Sequence, residues 1–71
     1  MNFSERLRKL RASQNVSQAK LASILGMSER VIRYYEAATK EPTLSVLVAL
    51  ADYFQVSIDY LVGRSDDPSP R

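Results

Sequence analysis

Cysteine and histidine are both absent from this chain of 71 residues. Their absence excludes a disulfide framework, a metal site built from cysteine or histidine, and acid–base catalysis by an imidazole. Glycine occurs only twice, so no glycine-rich loop can cradle a phosphate, and the carboxylates do not follow metal-ligand spacing. We therefore expect neither an enzyme nor a bound metal or cofactor, and no small-molecule substrate is evident.

Long apolar runs are also absent. The longest covers residues 46–51, which is far short of the roughly 20 apolar residues that span a bilayer. Glu5 and Arg6 lie where a signal peptide needs an apolar segment. The sequence therefore predicts a cytoplasmic protein that does not enter a membrane.

Positive charge is concentrated in the first part of the chain, although the net charge is only +2. Residues 1–41 have a balance of +4, whereas residues 42–71 have a balance of −2. The first part is therefore the one suited to meet phosphate. A chain this short forms one domain, close to the size at which a core needs disulfides, a metal or a partner for stability. An oligomer is therefore an alternative to a monomer.

Hydrophobic spacing predicts five short helices, and no strand pattern competes. Each helix follows a Ser or Thr whose hydroxyl can cap its first turn. The predicted caps are Ser4, Ser17, Ser28, Thr43 and Ser57. Asn15 is predicted to close the first helix in the left-handed conformation. Residues 64–71 have no apolar anchor and are predicted to be a flexible tail after the domain at residues 1–63.

A short turn separates the second predicted helix, at about residues 18–25, from the third, at residues 28–37. Gly26 supplies the positive φ of this turn, and the small Ala22 lets the two helices cross closely. Two short helices joined by a turn that contains glycine predict a helix-turn-helix motif.

Apolar positions in each helix mark the predicted core. They are Phe3, Leu7, Leu10, Leu21, Ala22, Leu25, Val31, Ile32, Tyr35, Leu44, Leu47, Leu50, Ala51, Phe54, Ile58 and Leu61. Adjacent helical residues are about 100° apart, so only one of Tyr34 and Tyr35 can be buried, and Tyr35 is assigned to the core. Arg6, Arg8 and Lys9 are expected to point away from the core, as a solvated cluster more than as a phosphate clamp.

The segment “SQAKLASILGMSERVIRYYE”, then Pro42, then “LVALADYFQVSIDYLVG” resemble the Cro and phage-repressor family of helix-turn-helix DNA-binding domains, also called the XRE type. The resemblance covers about residues 4–63. It implies an all-α, five-helix, lambda-repressor-like domain whose partner is double-stranded DNA. It also implies a sequence-specific transcriptional regulator, a repressor that binds a palindromic operator as a homodimer and lays residues 28–37 in the major groove.

The resemblance further implies which residues meet DNA. Gln18 corresponds to a glutamine that contacts a phosphate, and the outward face of the third helix corresponds to the base-reading surface. Arg can bind guanine through two hydrogen bonds, Glu can accept from cytosine, and Tyr can meet a thymine methyl or a phosphate. The implied base-edge residues are Glu29, Arg30, Arg33 and Tyr34. The implied phosphate contacts are Ser17, Gln18, Ser28, Lys40 and Arg11, the two serines having capping alone as the alternative.

Glu36 would repel DNA unless a cation neutralises it. The resemblance implies a partly buried pair of Glu36 with Arg11 that orients the helices. Where the family commonly has glycine after the recognition helix, this chain has Ala38. A left-handed alanine costs on the order of 1 kcal/mol, so we expect either that the helix runs one turn further or that the loop closes differently. The phosphate contact of Lys40 depends on that loop.

A stripe on the fourth helix is a candidate dimer interface. Val46, Ala49 and Tyr53 fall at positions i, i+3 and i+7, on the side opposite part of the predicted core. Tyr60 or Val62 of the last helix can extend the stripe. Single exposed apolar groups are common and need no partner, so a plain surface is the alternative.

A protein-binding module on the same fold is the rival interpretation of the whole chain. Such a module would be an antirepressor or an antitoxin-like partner with little affinity for DNA. The nearly neutral charge and Glu29 favour it, whereas Gln18, Arg30 and Arg33 at the family's contact positions favour DNA.

Overall fold

The computed structural model describes residues 1–70, and these residues form five α-helices and no strand. The helices are α1 (Phe3–Ser13), α2 (Gln18–Leu25), α3 (Glu29–Glu36), α4 (Leu44–Phe54) and α5 (Ile58–Leu61). α3 packs against both α1 and α2, and α5 packs against both α1 and α4. The predicted all-helical class and the five helices are confirmed.

One apolar core joins all five helices. Its buried side chains are Leu7, Leu10, Leu21, Ala22, Ile32, Tyr35, Leu50, Ala51, Phe54, Val56 and Leu61. Phe3 contributes from the edge, where its ring meets that of Tyr35 at a centroid distance of 6.1 Å. Because α3 has its inner face in this core, its outer face is held in a fixed orientation.

Four of the five predicted caps are confirmed. The side chains of Ser17, Ser28, Thr43 and Ser57 each accept a hydrogen bond from the backbone N–H three residues later. This bond satisfies one of the N–H groups that a helix start leaves without an intrahelical acceptor. The cap geometry fixes where α2 and α3 begin.

The prediction for Ser4 is wrong. α1 begins earlier, with Asn2 as its cap, and the side chains of Asn2 and Glu5 form a reciprocal capping box. Ser4 is buried inside the helix, and its hydroxyl donates to the Tyr35 carbonyl over 2.6 Å. The asparagine and glutamate already satisfy the first turn, which leaves the serine to join α1 to α3.

Leu44 and Ile58 were predicted to face the core, and this is wrong. They are 71% and 36% exposed, respectively. Each is the first residue of its helix. A helical side chain leans toward the preceding turn, and a first residue has no preceding turn to cover, so these two side chains extend into solvent.

Asn15 and Ala38 both adopt the left-handed conformation, with φ of 55° and 61°. For Asn15 this confirms the prediction. For Ala38 both predicted alternatives are wrong. α3 does not run one turn further, since it ends at Glu36, and the loop does not close differently, since Ala38 takes the left-handed conformation that glycine usually takes there. Thr39 N–H donates to the Tyr34 carbonyl, and Ala38 N–H to the Tyr35 carbonyl. These two bonds form a Schellman closure, in which glycine is the preferred residue at the position of Ala38.

Ala38→Gly is therefore expected to raise the free energy of unfolding by about 1 kcal/mol, because glycine adopts positive φ without strain. Urea unfolding measures the change. Ala37→Gly is the matched control, since Ala37 has a φ of −88° and gains nothing from glycine. Equal effects of the two variants would contradict a strained Ala38.

Arg6 was expected to point away from the core, and this is also wrong. It is only 4% exposed, and its guanidinium lies 3.7 Å from the centre of the Tyr60 ring. Nη2 lies 3.7 Å from an Asp66 carboxylate oxygen and 3.5 Å from the Ser65 carbonyl. Arg6 therefore joins α1 to α5 and to the segment that follows it.

Residues 64–68 contact the domain through further backbone hydrogen bonds. Arg64 and Ser65 N–H donate to the Asp59 carbonyl, and Ser57 N–H donates to the Pro68 carbonyl. The predicted flexibility of residues 64–71 stays a prediction, and Arg71 lies outside the described residues.

Arg6→Ala is expected to lower the free energy of unfolding by about 2 kcal/mol, because a desolvated cation–ring contact and the packing of the side-chain stem are lost together. Lys9→Ala is the control, because it removes the same charge from an exposed position on the same helix. It is expected to change the free energy of unfolding by less than about 0.5 kcal/mol. Thermal or urea unfolding distinguishes the two. Similar values for both variants would contradict the buried role of Arg6.

Candidate nucleic-acid interface

The turn between α2 and α3 has the geometry expected of a helix-turn-helix motif. Gly26 has a φ of 68°, and Met27 N–H donates to the Ala22 carbonyl over 2.9 Å. Ala22 is 3% exposed and lies in the core near this crossing. A small side chain allows close approach of the two helices, so α3 is held firmly against α2.

α3 has a buried face and a charged outer face. Ile32, Tyr35 and Glu36 are buried, which confirms Tyr35 as the core tyrosine. The residues that resemblance assigned to base edges are all exposed: Glu29, Arg30, Arg33 and Tyr34. The structure therefore brings these four side chains together on the solvent side of one short helix.

The charges on this outer face are not equivalent. Arg33 Nη1 lies 3.3 Å from a Glu29 carboxylate oxygen, one helical turn away. Both side chains are about half exposed, so the pair contributes little stability and can open when a partner binds. Arg30 has no ion pair within residues 1–70. Arg30 is consequently the outer arginine that requires no rearrangement before it binds.

The predicted pair of Arg11 and Glu36 is present and has two contacts. Arg11 Nε donates to Glu36 Oε2 over 2.7 Å, and Nη2 donates to Oε1 over 3.0 Å. Nη1 donates to the Val16 carbonyl over 3.0 Å. The hydrogen bond to Glu36 raises the pKa of Arg11. The guanidinium charge balances the charge of the buried carboxylate.

Gln18 joins this pair. Its Nε2 donates to Glu36 Oε1 over 3.0 Å, and the Arg8 guanidinium donates to the Glu36 carbonyl. Glu36 thus binds side chains from α1 and from α2 at the end of α3. Spacing in the sequence gave no sign of these two contacts, because a hydrogen bond between distant positions leaves no periodic pattern.

The remaining phosphate candidates lie at the edges of this surface. Ser17 and Ser28 are exposed at the starts of α2 and α3, where their oxygens accept from Lys20 N–H and Val31 N–H. Each hydroxyl hydrogen remains available to a phosphate oxygen. Lys40 is exposed in the loop after α3 and lines a cavity with Asn2 and Phe3, close to the start of α1.

The stripe predicted on α4 does not lie opposite the core. Val46 and Tyr53, together with Tyr60 of α5, pack against the core from its edge, and Ala49 and Val62 are half-buried. Their role in a dimer stays a prediction. The more exposed apolar side chains of α4 are Leu44 and Val48, the latter 41% exposed. They lie four residues apart on α4, a spacing that places them on the same side of the helix.

No helix within the described part of the chain is long and apolar enough to cross a membrane.

Known proteins resemble this chain over most of its length. A helix-turn-helix family model matches residues 7–61. YobD, an uncharacterized HTH-type transcriptional regulator of Bacillus subtilis, is 39% identical over 69 residues, which cover 97% of this chain and 62% of YobD. The cryptic phage CTXphi transcriptional repressor RstR of Vibrio cholerae is 39% identical over 64 residues, which cover 90% of this chain and 57% of RstR. The chain thus spans about three-fifths of the length of these relatives.

Two solved structures match the fold closely. The crystal structure of the P22 c2 repressor in complex with a synthetic operator has a TM-score of 0.84 and 32% identity, and the match covers 92% of this chain and 98% of the repressor chain. A transcriptional regulator from Listeria innocua has a TM-score of 0.82 and 34% identity, and the match covers 86% of this chain and 57% of the regulator chain. Over the matched residues, both proteins share about a third of their sequence with this chain in addition to its fold.

Proposed function

Since the chain belongs to the helix-turn-helix family of the Cro and phage-repressor type, we propose that it is a sequence-specific, DNA-binding transcriptional regulator. The observation that carries the proposal is α3, whose inner face is buried while Glu29, Arg30, Arg33 and Tyr34 remain exposed together. A helix anchored in this way can enter a major groove and hold its outer side chains against base edges.

The outer face of α3 would read bases, and the residues around it would hold the sugar–phosphate backbone. Ser17, Gln18 and Ser28 offer donors at two helix starts, where the helix dipole also favours a phosphate. Lys40 would add positive charge at the edge of this surface, and Arg11, whose charge is balanced by Glu36, would offer a guanidinium N–H. Phosphate contacts fix the orientation of the domain, whereas base contacts discriminate between sequences.

We place the chain among repressors of phage or mobile-element type that act in the cytoplasm and carry no catalytic activity. RstR is named a transcriptional repressor, and the P22 c2 repressor is bound to an operator in its crystal structure. Both names support the choice of a repressor as the proposal.

A homodimer on a palindromic operator is part of the proposal. One helix reads too few base pairs to find a site in a genome, whereas two copies can occupy successive major grooves about 34 Å apart. The candidate interface is the half-buried stripe of Val46, Ala49, Tyr53, Tyr60 and Val62. Sedimentation at increasing concentration tests it: a chain that stays monomeric at high concentration would remove the stripe as a self-association surface and leave only dimerisation on DNA.

Selection of bound duplexes from a random pool at fixed salt tests the proposed function. Salt must be fixed because phosphate contacts make affinity depend on it. The expected product is an inverted repeat with half-sites about one helical turn apart. A pool in which no sequence is enriched would overturn the proposal and favour the protein-binding module.

A further inference from the structure

The side-chain amide of Gln18 is held by a buried carboxylate. Its Nε2 donates to Glu36 Oε1 over 3.0 Å, and the same oxygen accepts from Arg11 Nη2 over 3.0 Å. Glu36 is 5% exposed, whereas Gln18 is half-buried and lies at the first position of α2. The contact therefore joins the start of α2 to the end of α3.

Glu36 determines which end of the amide faces it. A carboxylate can only accept hydrogen bonds, whereas a glutamine amide has a donating nitrogen and an accepting oxygen. If the amide turned over, Gln18 Oε1 would lie against Glu36 Oε1, and two acceptors share no hydrogen. Glu36 therefore selects one of the two amide orientations, the one in which the nitrogen approaches the carboxylate.

One N–H of the amide remains after this bond. An amide nitrogen carries two hydrogens, and Glu36 takes only one. Within residues 1–70, Glu36 is the one side chain that accepts from Gln18 Nε2. The second hydrogen is consequently available to an acceptor outside the domain, and a phosphate oxygen is an acceptor that offers no hydrogen in return.

We propose that Glu36 is a positioning residue for DNA binding, because it fixes the Gln18 amide with an N–H ready for a backbone phosphate. The inference rests on the proposed function and names how one of its contacts is prepared. Arg11 balances the charge of Glu36 through two hydrogen bonds, so the carboxylate can orient Gln18 without presenting an unpaired negative charge to DNA.

A double-mutant cycle tests whether Glu36 affects DNA affinity through Gln18. The measured quantity is the affinity of each variant for a short mixed-sequence duplex at fixed low salt. One such duplex is a sufficient probe because phosphate contacts carry no sequence information. The variants are Gln18→Ala, Glu36→Gln and the two combined, and Glu36→Gln keeps the length and shape of the side chain. We expect Glu36→Gln to weaken binding roughly tenfold in the native chain, but less than about twofold when Gln18 is already alanine.

Equal weakening in both backgrounds would overturn the positioning role, because Glu36 would then act on the fold or through Arg11. Stronger binding by the Glu36→Gln variant would overturn it as well, since the carboxylate would then merely repel the duplex. A native chain that binds no duplex would instead refute the proposed function, and the phosphate contact with it.

Nuclear magnetic resonance of the unmodified chain keeps the inference testable even if a Glu36 variant unfolds. The Gln18 side-chain amide is expected to be as rigid as the helix backbone in the absence of DNA. Gln14 is the matched control, because it is exposed and its side chain has no hydrogen bond within residues 1–70. A Gln18 amide as mobile as that of Gln14 would overturn the proposal without any reference to DNA binding.

Discussion

Glu36→Ala is expected to lower the free energy of unfolding by about 3 to 5 kcal/mol. The substitution removes the buried carboxylate that accepts from Arg11 Nε, Arg11 Nη2 and the Gln18 amide, so these donors lose their partner, and Arg11 keeps only its bond to the Val16 carbonyl. A domain of this size has a total stability of about 4 to 10 kcal/mol, so the variant is expected to be close to unfolding at room temperature. Urea unfolding followed by circular dichroism measures the loss.

Glu41→Ala is the matched control for this prediction. Glu41 is exposed in the loop after α3, so the substitution removes the same charge without exposing a buried partner, and a change below about 0.5 kcal/mol is expected. The combined variant Arg11→Met, Glu36→Leu should lose less stability than the sum of its parts, because neither charge is then left buried alone. A Glu36→Ala variant as stable as Glu41→Ala would mean that the pair does not hold the helices together.

Arg30→Ala is expected to weaken binding to the duplex enriched by selection by about 1 to 3 kcal/mol per half-site and to relax the preference at one base pair. Arg30 is exposed on α3 and has no ion pair among residues 1–70, so its guanidinium can form two hydrogen bonds to a guanine without first leaving a partner. Equilibrium titrations on the enriched duplex and on duplexes changed at one base pair at a time measure both effects.

Arg64→Ala removes the same charge from the segment after α5 and serves as the control. It should reduce affinity for all duplexes by a similar small factor, because only the general attraction to phosphate changes. If Arg30→Ala reduced binding to enriched and shuffled duplexes equally, Arg30 would be a phosphate contact and not a base-reading residue.

Features set by neighbouring residues could be predicted from the sequence. The caps at Ser17, Ser28, Thr43 and Ser57 depend on one hydroxyl and an N–H three residues away, so sequence spacing is enough. The outward face of α3 follows in the same way from helical periodicity. The pair of Arg11 and Glu36 came only from family resemblance, because its partners are 25 residues apart.

Features that depend on distant contacts could not be predicted in this way. Arg6 looked like one of several solvated cations, and only the fold brings it to Tyr60 and Asp66. The bond between Gln18 and Glu36 likewise requires the packed arrangement of α2 on α3. The conformation of Ala38 was predicted wrongly for a different reason. The intrinsic preference of alanine disfavours positive φ, but the hydrogen bonds that close α3 impose it.

The surface that binds DNA can be mapped by titrating isotope-labelled chain with the enriched duplex and following the backbone amide resonances. The largest shifts are predicted at residues 17–20 and 28–37, where the starts of α2 and α3 and the outer face of α3 lie. Residues 64–68 are predicted to change little. Shifts confined to residues 44–62, or no shift with any duplex, would contradict DNA binding through α3.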